Sequence, residues 1–124
     1  NSSMTVLVSP LTRTIQTAMH TTKGFHDLHV YDELAERQGN GHLCNIRKAA
    51  SEIKKKYPHL KLYTKEVPDI PAAEETMEAI KDRALRVLRK YKEAEALVVF
   101  THYMVILALT GEQVENSAVR TIHI

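Results

Sequence analysis

Short apolar runs alternate with segments of helical spacing along this chain. Met4–Val8 is apolar, brief and stopped by Ser9-Pro10, the pattern of a buried strand. Ser9 suits a helix cap, and Pro10 suits the first helical position, where no amide donor is needed. Leu11, Ile15 and Ala18 then share one face, predicting a helix over 11–22 that Gly24 ends. Leu28–Tyr31 predicts a second strand, and a loop containing Gly39, Asn40 and Gly41 follows it. Residues 44–57 read as a helix with Ala49, Ala50 and Ile53 as its apolar stripe, and 60–63 as a short strand. Pro68 and Pro71 make 67–72 a loop.

The clearest helix spans 74–91. Met77, Ile80, Ala84, Val87, Leu88 and Tyr91 recur at helical spacing, and the opposite face is charged. Residues 97–100 predict a buried strand, 103–109 a helix closed by Gly111, and 119–124 a last strand. Alternating strands and helices predict an α/β fold. Its architecture is three-layer, a mostly parallel sheet flanked by helices, in a single domain over 1–124.

Composition narrows the partners. The 124 residues are 44% hydrophobic and 26% charged, as in an ordinary globular protein, and the net charge of +2 gives no case for nucleic acid. The densest basic stretch, Arg47-Lys48 with Lys54-Lys55-Lys56, reads as a solvated helix face. Cys44 is the only cysteine, so an intrachain disulfide and a cysteine zinc cluster are excluded. That points to a reducing, cytoplasmic setting. No apolar run approaches a membrane span, and no signal-peptide pattern is present.

In open parallel sheets the ligand crevice lies beyond the carboxyl ends of the strands. The first strand leads to Ser9, with Arg13 one turn into the next helix. The second leads to Asp32, Glu33 and Glu36, and the strand at 97–100 leads to Thr101-His102. These groups suit a phosphate. A helix start offers free amides and a positive dipole end, Arg13 a planar fork, and His102 a nitrogen donor. Glu36 could supply a proton to a leaving oxygen. Plainer readings compete: Arg13 as a surface arginine, Glu36 and Arg37 as a solvated pair, His102 as a structural histidine. The spacing of His26 and His29, and of His42 and Cys44, gives little support for a metal site.

These residues resemble a known family. Val6 to Ala18, with Ser9-Pro10-Leu11, Arg13 and Gln16-Thr17-Ala18, is similar to the second motif of the histidine phosphatases, the phosphoglycerate-mutase-like superfamily. Leu34-Ala35-Glu36 resembles the motif bearing that family's proton donor. Glu75 and Arg83 resemble a Glu opening a long helix and an Arg further along it. Leu97 to His102 resembles the strand ending in the second active-site histidine, and Asn116 to Arg120 a late motif of the same branch. The resemblance implies that Arg13, with Ser9 and His102, binds the phosphoryl group, that His102 stabilises the transition state, and that Glu36 protonates the leaving oxygen. It implies a phosphohistidine route with no metal and no cofactor, acting on a phosphorylated small molecule or a phosphoprotein.

Two departures qualify what the resemblance implies. The family's Arg-His-Gly motif, which carries the phosphate-accepting histidine, occurs nowhere in the chain. The chain therefore corresponds to the greater, C-terminal part of such a protein, without its first, central strand, and alone is expected to be inactive. The strands at Val6 and Val98 are each expected to have an unpaired edge, inviting a homodimer or a swap. The family usually has a small residue after the second histidine, whereas Tyr103 follows His102 here. A phosphatase fits better than a mutase, and a non-catalytic phosphate-binding or scaffolding member is the alternative.

Overall fold

The structure is a computed structural model that describes residues 4–24, 27–39 and 45–113. The predicted strand over 119–124, the motif at Asn116 to Arg120, His26, His42 and Cys44 lie outside the described residues.

The elements run β1 Met4–Val8, α1 Thr12–Thr22, β2 Leu28–Tyr31, α2 Ala50–Lys56, β3 Lys61–Tyr63, α3 Met77–Leu88, β4 Ala96–Phe100 and α4 Tyr103–Thr110. The four strands form one sheet in the order β3-β2-β1-β4, and every pairing is parallel. The expected α/β architecture with a parallel sheet is therefore present. Successive side chains of a strand point to opposite faces, and both faces are covered. Val6, Val8 and Val30 pack with Ile15 and Ala18 of α1 and Ile53 of α2. Leu7 and Tyr31 pack on the other face with Ile80, Ala84 and Val87 of α3 and Val105 of α4.

One expectation is corrected. Val6 has no open edge, because β1 pairs with β2 through Val6 and Leu28 and with β4 through Val6 and Val98. Two apolar parallel strands satisfy each other's ladder directly, and Ser9 N extends it to Phe100 O at 2.9 Å. Val98 sits on β4, which among the described residues is the edge strand opposite β3. Val98 is 37% exposed there.

Several helix starts also differ, for local reasons. Helix α1 begins at Thr12 with Leu11 as its extended N-cap residue, so Ser9 does not cap it. The Ser9 hydroxyl instead accepts from Leu11 N at 3.4 Å while engaging His102. Helix α3 begins at Met77 because Thr76 is the cap: its Oγ1 accepts from Ala79 N at 3.1 Å. The helical turns over 89–91 continue it as a 3-10 segment. Helix α2 begins at Ala50 rather than at 44, and Arg47 is buried instead of lying on a solvated face. The Arg47 guanidinium draws the chain before α2 onto Asp32, with Nε to Oδ1 at 2.5 Å and Nη2 to Oδ2 at 3.1 Å. Lys54, Lys55 and Lys56 are exposed, as expected.

Gly39 marks a close approach of two loops. Its φ is +95, and a Cβ there would lie 2.3 Å from the Ala73 carbonyl oxygen. Gln38 and Glu75 tie the same two segments together, through Glu75 N to Gln38 O at 3.0 Å and Gln38 N to Glu75 Oε1 at 2.9 Å.

Candidate functional site

Two adjacent strands, β1 and β4, end side by side, and the chain leaving each carries the polar groups of the crevice. Ser9 follows β1 and is fully buried, and His102 follows β4 and is 7% exposed. The Ser9 hydroxyl and His102 Nε2 are hydrogen-bonded at 2.7 Å. Thr14 Oγ1, on the first turn of α1, reaches the same nitrogen at 3.3 Å. A polar ring in so apolar a setting needs such partners, since an unpaired buried polar group is costly.

Burial pushes the His102 imidazole down to about 4 from its ordinary 6.5, and the positive charges of Arg13 and Arg83 push in the same direction. His102 is therefore neutral at pH 7. An arriving dianion would reverse that balance by offering the ring a negative neighbour.

Arg13 stands beside Thr14 on α1, and its charge is felt at His102, so the two belong to one end of the sheet. Arg13 is exposed, and its Nη2 donates to Asn45 Oδ1 at 3.4 Å. Asn45 in turn donates to Arg37 O at 3.0 Å. The Asn45 amide oxygen thus links the Arg13 guanidinium to the segment that follows Glu36.

The carboxylates after β2 have separate fates. Asp32 is taken by Arg47. Glu36 turns to α4, where its Oε1 accepts from Met104 N at 3.2 Å and from Arg37 N at 3.0 Å. Arg37 points elsewhere, to Glu74 at 3.5 Å, so the reading of Glu36 and Arg37 as a solvated pair does not hold. Thr101 Oγ1 donates to Leu34 O at 2.7 Å and fastens the Glu36 loop to the end of β4. A carboxylate at the start of α4 is favoured by the helix dipole and the free amides. Tyr103, the first residue of α4, is 38% exposed at the rim.

Ser9, Arg13, Glu36 and His102 thus lie on the segments that leave the carboxyl ends of β1, β2 and β4; Ser9 and His102 touch each other, Arg13 bonds to Asn45, and Glu36 bonds to Met104 N. Sequence reasoning missed Thr14, Asn45 and the fixing role of Arg83. Thr14 had a signal: it lies three residues after Leu11 and four before Ala18, on the inward stripe of α1. Arg83 had a signal in its resemblance motif with Glu75, eight positions away, though not for its bonds to the Glu33, Ala35 and Glu36 carbonyls 47 to 50 positions upstream; Asn45 had none. His29 Nδ1 is hydrogen-bonded to Tyr63 Oη at 3.2 Å on the outer part of the sheet. Among the described residues no group of three or more His, Cys, Asp or Glu could hold a metal ion. Among them, too, no helix is long and apolar enough to cross a membrane.

Chemically these are a guanidinium fork, a buried imidazole bonded to two hydroxyls, and a carboxylate at a helix start, groups of the kind that serve an oxyanion. A family model described as Histidine phosphatase superfamily (branch 1) matches residues 2–124 of the sequence. Comparison with curated proteins and with solved structures returned no match.

Proposed function

Because this chain belongs to the histidine phosphatase superfamily, we propose that its crevice binds the phosphoryl group of a phosphorylated small molecule or a phosphoprotein. The observation that carries this reading is the Ser9–His102 bond at 2.7 Å, which locks the start of the Arg13 helix against the start of α4. Arg13 grips equatorial phosphoryl oxygens with its paired N–H groups. His102 gains a proton as the dianion approaches and then donates to it, and Ser9 and Thr14 orient the ring. On this reading Glu36 gives a proton to the leaving oxygen. A metaphosphate-like transition state carries its charge on those same oxygens, so donors fixed beforehand lower the barrier.

In a complete reaction a histidine nucleophile takes the phosphoryl group and water later releases it. The chain has no Arg-His-Gly motif to supply that histidine. By itself it binds and polarises phosphate without turning it over. A non-catalytic phosphate-binding or scaffolding role is the second reading, and Tyr103 favours it by placing a large ring at the rim.

Calorimetric titration of the 124-residue chain with inorganic phosphate tests the site. Binding is expected, and Arg13→Ala should weaken it roughly 10- to 100-fold, the loss of charge-assisted hydrogen bonds. Equal affinity in the variant would remove Arg13 from the site. No hydrolysis of p-nitrophenyl phosphate is expected from this chain; sustained turnover abolished by Arg13→Ala would mean that another residue acts as nucleophile.

The β4 edge bears on partners. Among the described residues its backbone ladder is paired on the β1 side, and Ala96 and Val98 on it are exposed. An apolar strand edge of this kind pairs readily with a further strand. The chain is therefore expected to self-associate through β4, as a dimer or a swap. Sedimentation at low micromolar concentration should show this, and Val98→Lys should shift it to monomer. A wild-type monomer under those conditions would count against the edge as an interface.

A further inference from the structure

We infer that Arg83, locked to Glu75, is the positioning residue that holds the Glu36 carboxylate at the start of α4; this rests on the reading of Glu36 as proton donor. All five N–H groups of a guanidinium find acceptors at Arg83. Nε donates to Glu75 Oε2 at 2.9 Å and Nη2 to Glu75 Oε1 at 2.8 Å, a bidentate pair. Nη1 donates to Glu33 O at 2.7 Å and to Ala35 O at 2.8 Å, and Nη2 reaches Glu36 O at 3.3 Å.

Three carbonyls leading into and including Glu36 are thus tied to α3. Glu75 completes the hold from the far side by accepting from Gln38 N at 2.9 Å. Both side chains are largely buried, at 12% and 15% exposure. Burial works against ionisation of Glu75, but the Arg83 hydrogen bond, the Gln38 amide and the Arg83 and Arg37 charges outweigh it, so its carboxyl titrates below the usual range. The pair stays charged at neutral pH. With the backbone of Glu36 fixed on both sides, its carboxylate accepts from Arg37 N at 3.0 Å and reaches across to Met104 N at 3.2 Å. A lysine at 83 has a single nitrogen and cannot span three carbonyls and a carboxylate in one plane.

The test reads the Met104 amide of the 15N-labelled full chain by NMR and hydrogen exchange, in wild type, Arg83→Lys, Glu75→Gln and Glu36→Gln. Glu36→Gln gives the position of that amide without its carboxylate partner. Arg83→Lys is expected to move the Met104 resonance toward that position and to speed its exchange about tenfold, the loss of one hydrogen bond to a charged group. Ala84 and Val87 amides, inside α3, should keep their wild-type protection. A Met104 amide unchanged in a folded Arg83→Lys protein overturns the inference. If Arg83→Lys does not fold, Glu75→Gln is read in the same way and to the same end. Failure of wild type to bind inorganic phosphate would instead sink the reading of the crevice, with the Met104 result standing apart from it.

Discussion

Replacing Arg47 by alanine is expected to cost the fold about 3 kcal/mol, the low end for breaking a buried ion pair by removing one partner. The Arg47 side chain is 2% exposed and that of Asp32 is 32% exposed, so the loss falls mainly on the arginine's own surroundings. Besides Asp32, Arg47 donates to Lys65 O at 2.6 Å, Lys48 O at 2.9 Å and Glu66 O at 3.4 Å. Its removal takes a donor from three carbonyls and a carboxylate at once, although Glu66 O keeps Ala50 N and Asp32 Oδ2 keeps Lys65 N. The segment before α2, the Lys65 loop and the turn after β2 would lose their common tie. Urea unfolding at pH 7 measures the cost. An apolar pair, Arg47→Met with Asp32→Leu, should recover part of it, because buried ion pairs are replaceable by packing. A loss under about 1 kcal/mol for Arg47→Ala would show that the ion pair adds little.

The second large effect is on pH dependence. The folded His102 titrates at about 4, below its ordinary 6.5. Between those values the unfolded chain binds more protons than the folded one, so stability rises with pH across that window. At pH 7 both forms are neutral and the full stability is present. As the pH falls below 6.5 the unfolded chain takes up the proton first, and stability drops until His102 in the fold is protonated near 4. The drop from this one residue is about 3 kcal/mol, at 1.36 kcal/mol per pH unit. Unfolding free energies of wild type and His102→Gln, measured from pH 7 to pH 4, should diverge by that amount. Parallel curves would mean that the imidazole is as easily protonated in the fold as outside it. Saturating phosphate should flatten the wild-type curve, because the bound anion raises the ring's affinity for a proton.

How far these features were legible in the sequence depends on how local their causes are. The β1 strand, the Ser9-Pro10 break and the α1 face were legible because each is fixed by residues within one or two turns. His102 was legible as a polar residue directly after an apolar strand. Arg47 was not: its neighbours in sequence are charged, and what buries it is Asp32, 15 positions upstream. The late start of α2 follows from that distant contact and could not be read from helical spacing. Likewise the pairing of β1 with β4 is invisible in strand order, which offers no reason to prefer it over a gap between them. Glu36 stood out from Asp32 and Glu33 through the resemblance of Leu34-Ala35-Glu36, but its donor, Met104 N, lies 68 positions away and was not legible.

The direct pairing of β1 with β4 has a consequence for when the anion site comes into being. Ser9 and His102 are 93 positions apart in the chain, yet their bond joins the two halves of the crevice. Closing a loop of that length costs entropy before any contact is gained, so such pairings form slowly. The units β1-α1-β2 and α3 can gather from nearer contacts, but none of them carries both the fork and the ring. During synthesis or refolding, affinity for phosphate should therefore appear in step with β4 docking and not with the earlier gain of helix. Stopped-flow refolding, with helix followed by circular dichroism and the site by phosphate-dependent protection, would separate the two events.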